Sequence, residues 1–235
     1  MRLPFFAALA GCLLSACVAV ESSAPRASLP EGPVPDRVSS ATATTNFRTA
    51  VNRVEPAAES LCRQRSQGIN CDYLIRIDPN PSAPPNAFQS LDPNGRPIIT
   101  FTRSLIADAR NVDEIAFVVG HESAHHIEQH IARQRQSAAT GALVGGLIAS
   151  VAGADGRTVN EISRLGAGVG ARRFSKDHEL EADALGTIIV ARAGYDPVRG
   201  AQFFTRIPDP GDSFLGTHPP NADRIDIVRR TAAGL

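Results

Sequence analysis

The chain has 235 residues, enough for one domain with a sizeable core, alone or with a tail. Its 24 Lys and Arg balance 24 Asp and Glu, so bulk charge offers no attraction to a nucleic acid or to a charged surface. With no Trp and only 5% aromatic residues, much of the core falls to small apolar side chains.

Met1-Arg2 followed by the apolar run Leu3 to Leu14 reads as a secretory leader. Leu14-Ser15-Ala16-Cys17 resembles a bacterial lipobox, so residues 1–16 are expected as signal peptide and Cys17 as the lipidated first residue. Leu9-Ala10-Gly11-Cys12 also fits but leaves a very short apolar region. An ordinary leader, giving a soluble periplasmic or secreted chain, is the alternative. Val18 after the Cys favours, by resemblance to lipoprotein sorting, the outer membrane facing the periplasm. Residues 17–45 then read as the lipidated Cys and a Pro/Ser/Ala/Thr-rich disordered tether, and residues 46–235 as the folded domain. The membrane is thus an expected partner through the N-terminal anchor.

Residues 46–66 read as a helix. Cys62 and Cys71 can pair if the compartment is oxidising. Tyr73 to Ile77 alternates as a short strand. Residues 86–102 read as a hairpin around the Asp92-Pro93-Asn94-Gly95 turn. A helix starts at Asn111, its cap, with Glu114 completing a capping-box pattern, and runs to about Gln136. The Gly/Ala-rich residues 138–154 approach the length of a membrane span but read as a helical hairpin near the active site. Residues 158–193 form one long or broken helix, stopped by Gly194 with Pro197 beyond it. These elements predict an α+β fold, mainly helical, with a small β hairpin.

His121-Glu122-Ser123-Ala124-His125 carries the chemistry. On a helix, residues four apart share a face, so both imidazoles can reach one zinc ion. Glu122, beside the first ligand, can act as the general base that takes a proton from an activated water. His126 and His130 form a second pair four apart. In a continuous helix they point about 140° away, onto an apolar face, and read as structural histidines. A catalytic zinc needs a third ligand, and Asp177-His178-Glu179-Leu180-Glu181-Ala182-Asp183 supplies candidates. Glu179 and Glu181 point nearly opposite ways, so at most one of them is the ligand, and spacing alone does not choose. With Glu179 as ligand, Asp183 comes one turn later, where it can orient a ligand histidine.

Four segments together resemble the gluzincin metallopeptidases of family M48. They are Asn86-Ala87-Phe88 with the Ile98 to Leu105 run, Val119 to His125, Phe174-Ser175-Lys176 with Glu179, Ala182 and Asp183, and His218-Pro219 with Arg224. The resemblance covers roughly residues 46–230. It implies a zincin-like domain holding one Zn2+ through His121, His125 and Glu179, with Asp183 behind them. It places His218 beside the metal, as an inhibitory fourth ligand or an aid to the oxyanion. Lys176 stands where the family has Arg, which keeps a charge and loses a planar fork. A zinc-dependent endopeptidase acting on polypeptides is the expected function. Misfolded or misassembled envelope proteins are the expected substrates, lying as an added strand near residues 97–102. The alternative is a periplasmic chaperone or assembly factor whose zinc site is latent and self-inhibited.

Overall fold

The computed structural model describes residues 38–173, 175–207 and 219–235. Helix α1 (Ser40–Arg65) opens at Ser39, whose hydroxyl accepts from the Thr42 N–H. The helix therefore takes in the last six residues of the expected tether, 40–45. Thr44 and Thr45 turn their hydroxyls back onto the Ser40 and Ala41 carbonyls, so a polar run that resembles a linker is absorbed into the first turns. Ala43, Ala50, Val54, Ala58 and Leu61 recur at helical spacing and form its buried face. At its end Cys62 is disulfide-bonded to Cys71, as the pair was expected to be in an oxidising compartment.

Three strands follow: β1 (Leu74–Ile77), β2 (Ala87–Leu91) and β3 (Pro97–Phe101). β2 and β3 form the expected hairpin, antiparallel with Gln89 opposite Ile99. Asp92 Oδ1 accepts from the Asn94 and Arg96 N–H groups in the turn, and Gly95 takes a φ of 79° that a side chain would resist. The sheet order is β1-β3-β2, with β1 parallel to β3. This corrects one expectation. β3, which carries residues 97–101, is paired on both sides and has no edge to offer; the edges belong to β1 and β2, and of these β2 lines the cleft described below.

A short helix α2 (Arg103–Asp108) leads to helix α3 (Val112–Ile127), the centre of the domain. Asn111 caps α3 by accepting the Glu114 N–H. Helix α3 is buried on nearly every side, packed by α1, by the sheet and by helix α6 (Ser175–Arg192). The α3–α6 crossing is tight because it is made by two glycines. A Cβ on Gly120 would lie 2.7 Å from Val190 Cγ2 and 3.0 Å from the Gly186 carbonyl oxygen.

The expected helix from Asn111 to Gln136 is in fact two. Gln129 has φ 54°, the one non-glycine in the left-handed region among the described residues, and helix α4 (His130–Val151) sets off in a new direction. Helix α4 and helix α5 (Gly156–Arg173) form a helical hairpin, which contacts the rest of the domain sparsely. After α6, Gly194 with φ 80° ends the helix through a Tyr195 N–H bond to the Val190 carbonyl, as Gly194 and Pro197 predicted. A single turn α7 (Pro197–Gly200), a 3₁₀ turn over Ala201–Thr205 and helix α8 (Asn221–Ala233) close the domain. No helix among the described residues is long and apolar enough to cross a membrane.

Candidate metal centre

Helix α3 presents His121 and His125 on one face, one turn apart. The glycine crossing lays α6 against that face and brings Glu179 to both. His121 Nε2 lies 3.0 Å from His125 Nε2 and 3.5 Å from Glu179 Oε2, while His125 Nε2 lies 3.4 Å from Glu179 Oε1. These donors form the one cluster with metal-binding geometry among the described residues. Ligands about 2.0–2.1 Å from one tetrahedral zinc stand roughly 3.3 Å apart, so the spacing fits that ion.

The proton positions argue the same way. His121 Nδ1 is 2.9 Å from Asp183 Oδ1, a fully buried carboxylate that can only accept, so Nδ1 carries a hydrogen and, in the neutral ring, Nε2 is the bare nitrogen. Arg224 from α8 grips Asp183 with two bonds, Nε to Oδ2 at 2.7 Å and Nη2 to Oδ1 at 2.8 Å. Its guanidinium lies 3.9 Å over the Phe204 ring. Burial works to raise the Asp183 carboxyl, but Arg224 and His121 hold it below the usual carboxylate range.

A second relay serves the other histidine. Because the chain turns at Gln129, His130 swings back, and its Nδ1 lies 2.8 Å from His125 Nδ1. Its Nε2–H donates to Glu181 Oε2 at 3.1 Å, and Arg133 holds Glu181 from the solvent side. Burial, with His125 beside it, pushes His130 down to about 3, so the ring is neutral near neutrality. Arg133 above all holds Glu181 at about 2. A neutral His130 with its hydrogen on Nε2 accepts at Nδ1, so His125 carries its own hydrogen on Nδ1. His125 thus aims its Nε2 lone pair at His121 Nε2 across 3.0 Å, and with His121 neutral both rings would point lone pairs into the gap, an arrangement suited to a cation between them. Burial disfavours the His121 imidazolium, yet bonds to Asp183 and Glu179 outweigh burial and lift it to about 10, so without a metal a proton on His121 Nε2 fills the gap that a bound cation would take.

The centre lies in a cleft of about 820 Å³. Glu122 lines it beside the three donors, Asn86 to Gln89 form one wall, and Phe203, Phe204 and Arg206 form the other. The structure thus brings His121, Glu122, His125, Glu179 and Asp183 together. His218 lies outside the described residues, as does the backbone of Phe174. His126 is structural as expected: it donates from Nε2 to the Asn70 carbonyl at 2.7 Å and packs edge-on to Tyr73. His130 departs from expectation, because the 140° offset assumed an unbroken helix. Sequence reasoning also gave no role to Arg224, Glu181 or His178, whose ring stacks 4.3 Å from that of His130. The opposed directions of Glu179 and Glu181 were the only signal; they allowed at most one of the two as ligand without choosing, and gave the other no partner.

Comparison with known proteins agrees with this geometry. The profile of Peptidase family M48 matches residues 55–232. A putative beta-barrel assembly-enhancing protease of Vibrio cholerae is 33% identical over 141 residues, covering 54% of this chain and 29% of that protein. The mitochondrial metalloendopeptidase OMA1 of Saccharomyces cerevisiae is 31% identical over 168 residues, 67% of this chain and 46% of that one. The beta-barrel assembly-enhancing protease of Escherichia coli K12 is 29% identical over 135 residues, 52% and 28% respectively. The chain therefore spans less than half the length of these relatives.

Proposed function

This chain belongs to Peptidase family M48, whose members are zinc-dependent, and on that premise we propose that it is a zinc metalloendopeptidase of the bacterial envelope. The observation that carries the reading is the convergence of two imidazole nitrogens and one carboxylate, with a second carboxylate, Glu122, in the same cleft. His121, His125 and Glu179 would hold the ion. Zinc bound there would polarise the scissile carbonyl and acidify a water molecule. Glu122 takes the proton from that water at its carboxylate and passes it to the leaving amine nitrogen. Asp183 with Arg224, and His130 with Glu181, keep the two imidazoles in the tautomer and orientation the ion needs.

The edge of β2 supplies the substrate's footing. The Thr102 N–H donates to the Asn86 carbonyl at 2.9 Å. By antiparallel alternation, residues 88 and 90 then face β3, whereas Ala87, Gln89 and Leu91 turn their N–H and C=O groups outward. The first two of these line the cleft. An extended peptide added there is held mainly by its backbone, so cleavage tolerates many side chains. The names of the bacterial relatives, together with the leader and lipobox, favour misfolded or misassembled envelope proteins as substrates, with anchoring through Cys17 at the outer membrane.

Incubation with unfolded casein tests the reading. The wild type cuts it, and Glu122→Gln retains zinc but loses about 10²–10⁴-fold in rate. Equal cleavage by both would remove Glu122 from its role.

A further inference from the structure

We propose that the α4–α5 hairpin is a lipid-contacting arm that lays one aliphatic face onto a phospholipid bilayer without crossing it. Leu143, Leu147 and Val151 recur every four residues along α4, flanked by Val144 and Ile148, and all five are exposed. Leu147 is 64% exposed and Val151 88%, values that nothing in the fold accounts for. The glycines fix which side this is. A Cβ on Gly141 would meet the Gly166 carbonyl at 2.1 Å, and one on Gly145 the Ile162 carbonyl at 2.8 Å, so these glycines face α5. Helical geometry then turns Leu143 and Leu147 away from α5. It puts Val144, Ile148 and, on α5, the exposed Leu165 and Val169 along one flank of the hairpin.

Three observations favour lipid over a protein partner. The face is made of Leu, Val and Ile, without the aromatic, Met and Arg side chains that give protein interfaces their anchors. From residue 136 to 154 no side chain is charged. The hydroxyls of Ser137 and Thr140 bond back to the Arg133 and Gln136 carbonyls, so these two polar groups are satisfied without water. The other exposed α5 residues are polar or glycine, with Arg157, Asn160, Glu161 and Arg164 among them, which gives the hairpin a wet side opposite a dry one. Neither helix is apolar enough to span, so the arm lies in the interface. Helix α4 runs from His130 to Val151, about 32 Å at 1.5 Å per residue. The arm therefore holds the metal centre about that far from its lipid-contacting tip.

The chain contains no Trp, so Leu147→Trp is a reporter with no background. Added phosphatidylethanolamine/phosphatidylglycerol vesicles should shift its emission to the blue, and brominated acyl chains should quench it. Leu143→Trp, on the same stripe, repeats the measurement if the first variant folds poorly. Water-like emission from protein that nonetheless sediments with vesicles would overturn the proposal, because contact would then run through the N-terminal segment alone. Emission already blue without lipid and rising with protein concentration would assign the face to a second copy. A shift seen only with unfolded casein would assign it to substrate. Casein cleavage by the same variants without vesicles reports the peptidase reading separately.

Discussion

Each of the two cleft histidines proposed as ligands is backed by a carboxylate that is itself held by an arginine: Arg224–Asp183–His121, and Arg133–Glu181–His130–His125. The two relays differ in burial, and so differ in what their loss should do. Glu181 is partly exposed and can rehydrate. Glu181→Gln should therefore leave the fold intact and weaken zinc by about 10–100-fold, measured by chelator competition, since His130 then loses the carboxylate that fixes its tautomer. Asp183 and Arg224 are buried, and Arg224→Met would leave the Asp183 charge without its cation. That variant should lose about 3–5 kcal/mol of stability in urea unfolding, because desolvation of the carboxylate is no longer compensated. Unchanged stability would mean that Asp183 is held well enough by His121 alone.

Elements decide whether these residues meet. The α3–α6 crossing has no room for a side chain at Gly120. Gly120→Ala should force the helices apart, lower stability by about 1–3 kcal/mol and weaken zinc binding in the same preparation. If thermal unfolding and zinc affinity were both unchanged, the helices would not need that proximity. The pair of ligands on α3 was legible because the 3.6-residue period alone places residues 121 and 125 together. The break at Gln129 was not legible, since neither Gly nor Pro marks it and a glutamine has no preference for the left-handed region. What holds it is tertiary: His130 gains His125 and Glu181 as partners only if the chain turns there. Strand order escaped for a related reason. The hairpin from 86 to 102 follows from its turn residues, but the parallel pairing of β1 with β3 is a long-range contact that takes β3 from the edge of the sheet to its centre. The early start of α1 was hidden by Ser and Thr, which serve equally as linker residues and as self-capped helix residues.

At the scale of the molecule, the disulfide ties the end of α1 to the segment that supports α3 from behind. Between Cys71 and β1, Tyr73 donates its hydroxyl to the Ser123 carbonyl at 3.0 Å, while Asn70 receives His126. Replacing Cys62 and Cys71 with Ser should lower the unfolding free energy by about 2–3 kcal/mol, read as a lower urea midpoint with little change in slope. Cleavage of casein well below that midpoint should survive, because neither Cys62 nor Cys71 lines the cleft. The family resemblance was legible from the order and spacing of four short segments, and the family profile matches residues 55–232 although identity to the relatives is only about a third.

Helix α6 brings the proposed third ligand and both tautomer-fixing carboxylates, Glu179, Glu181 and Asp183, within five residues of each other. Until it docks, the two histidines on α3 have no third donor and nothing to choose which ring nitrogen stays bare. Hydrolytic capacity should therefore switch on in a single event late in maturation rather than build up by degrees. A half-assembled copy in transit would then be harmless to the unfolded chains travelling beside it.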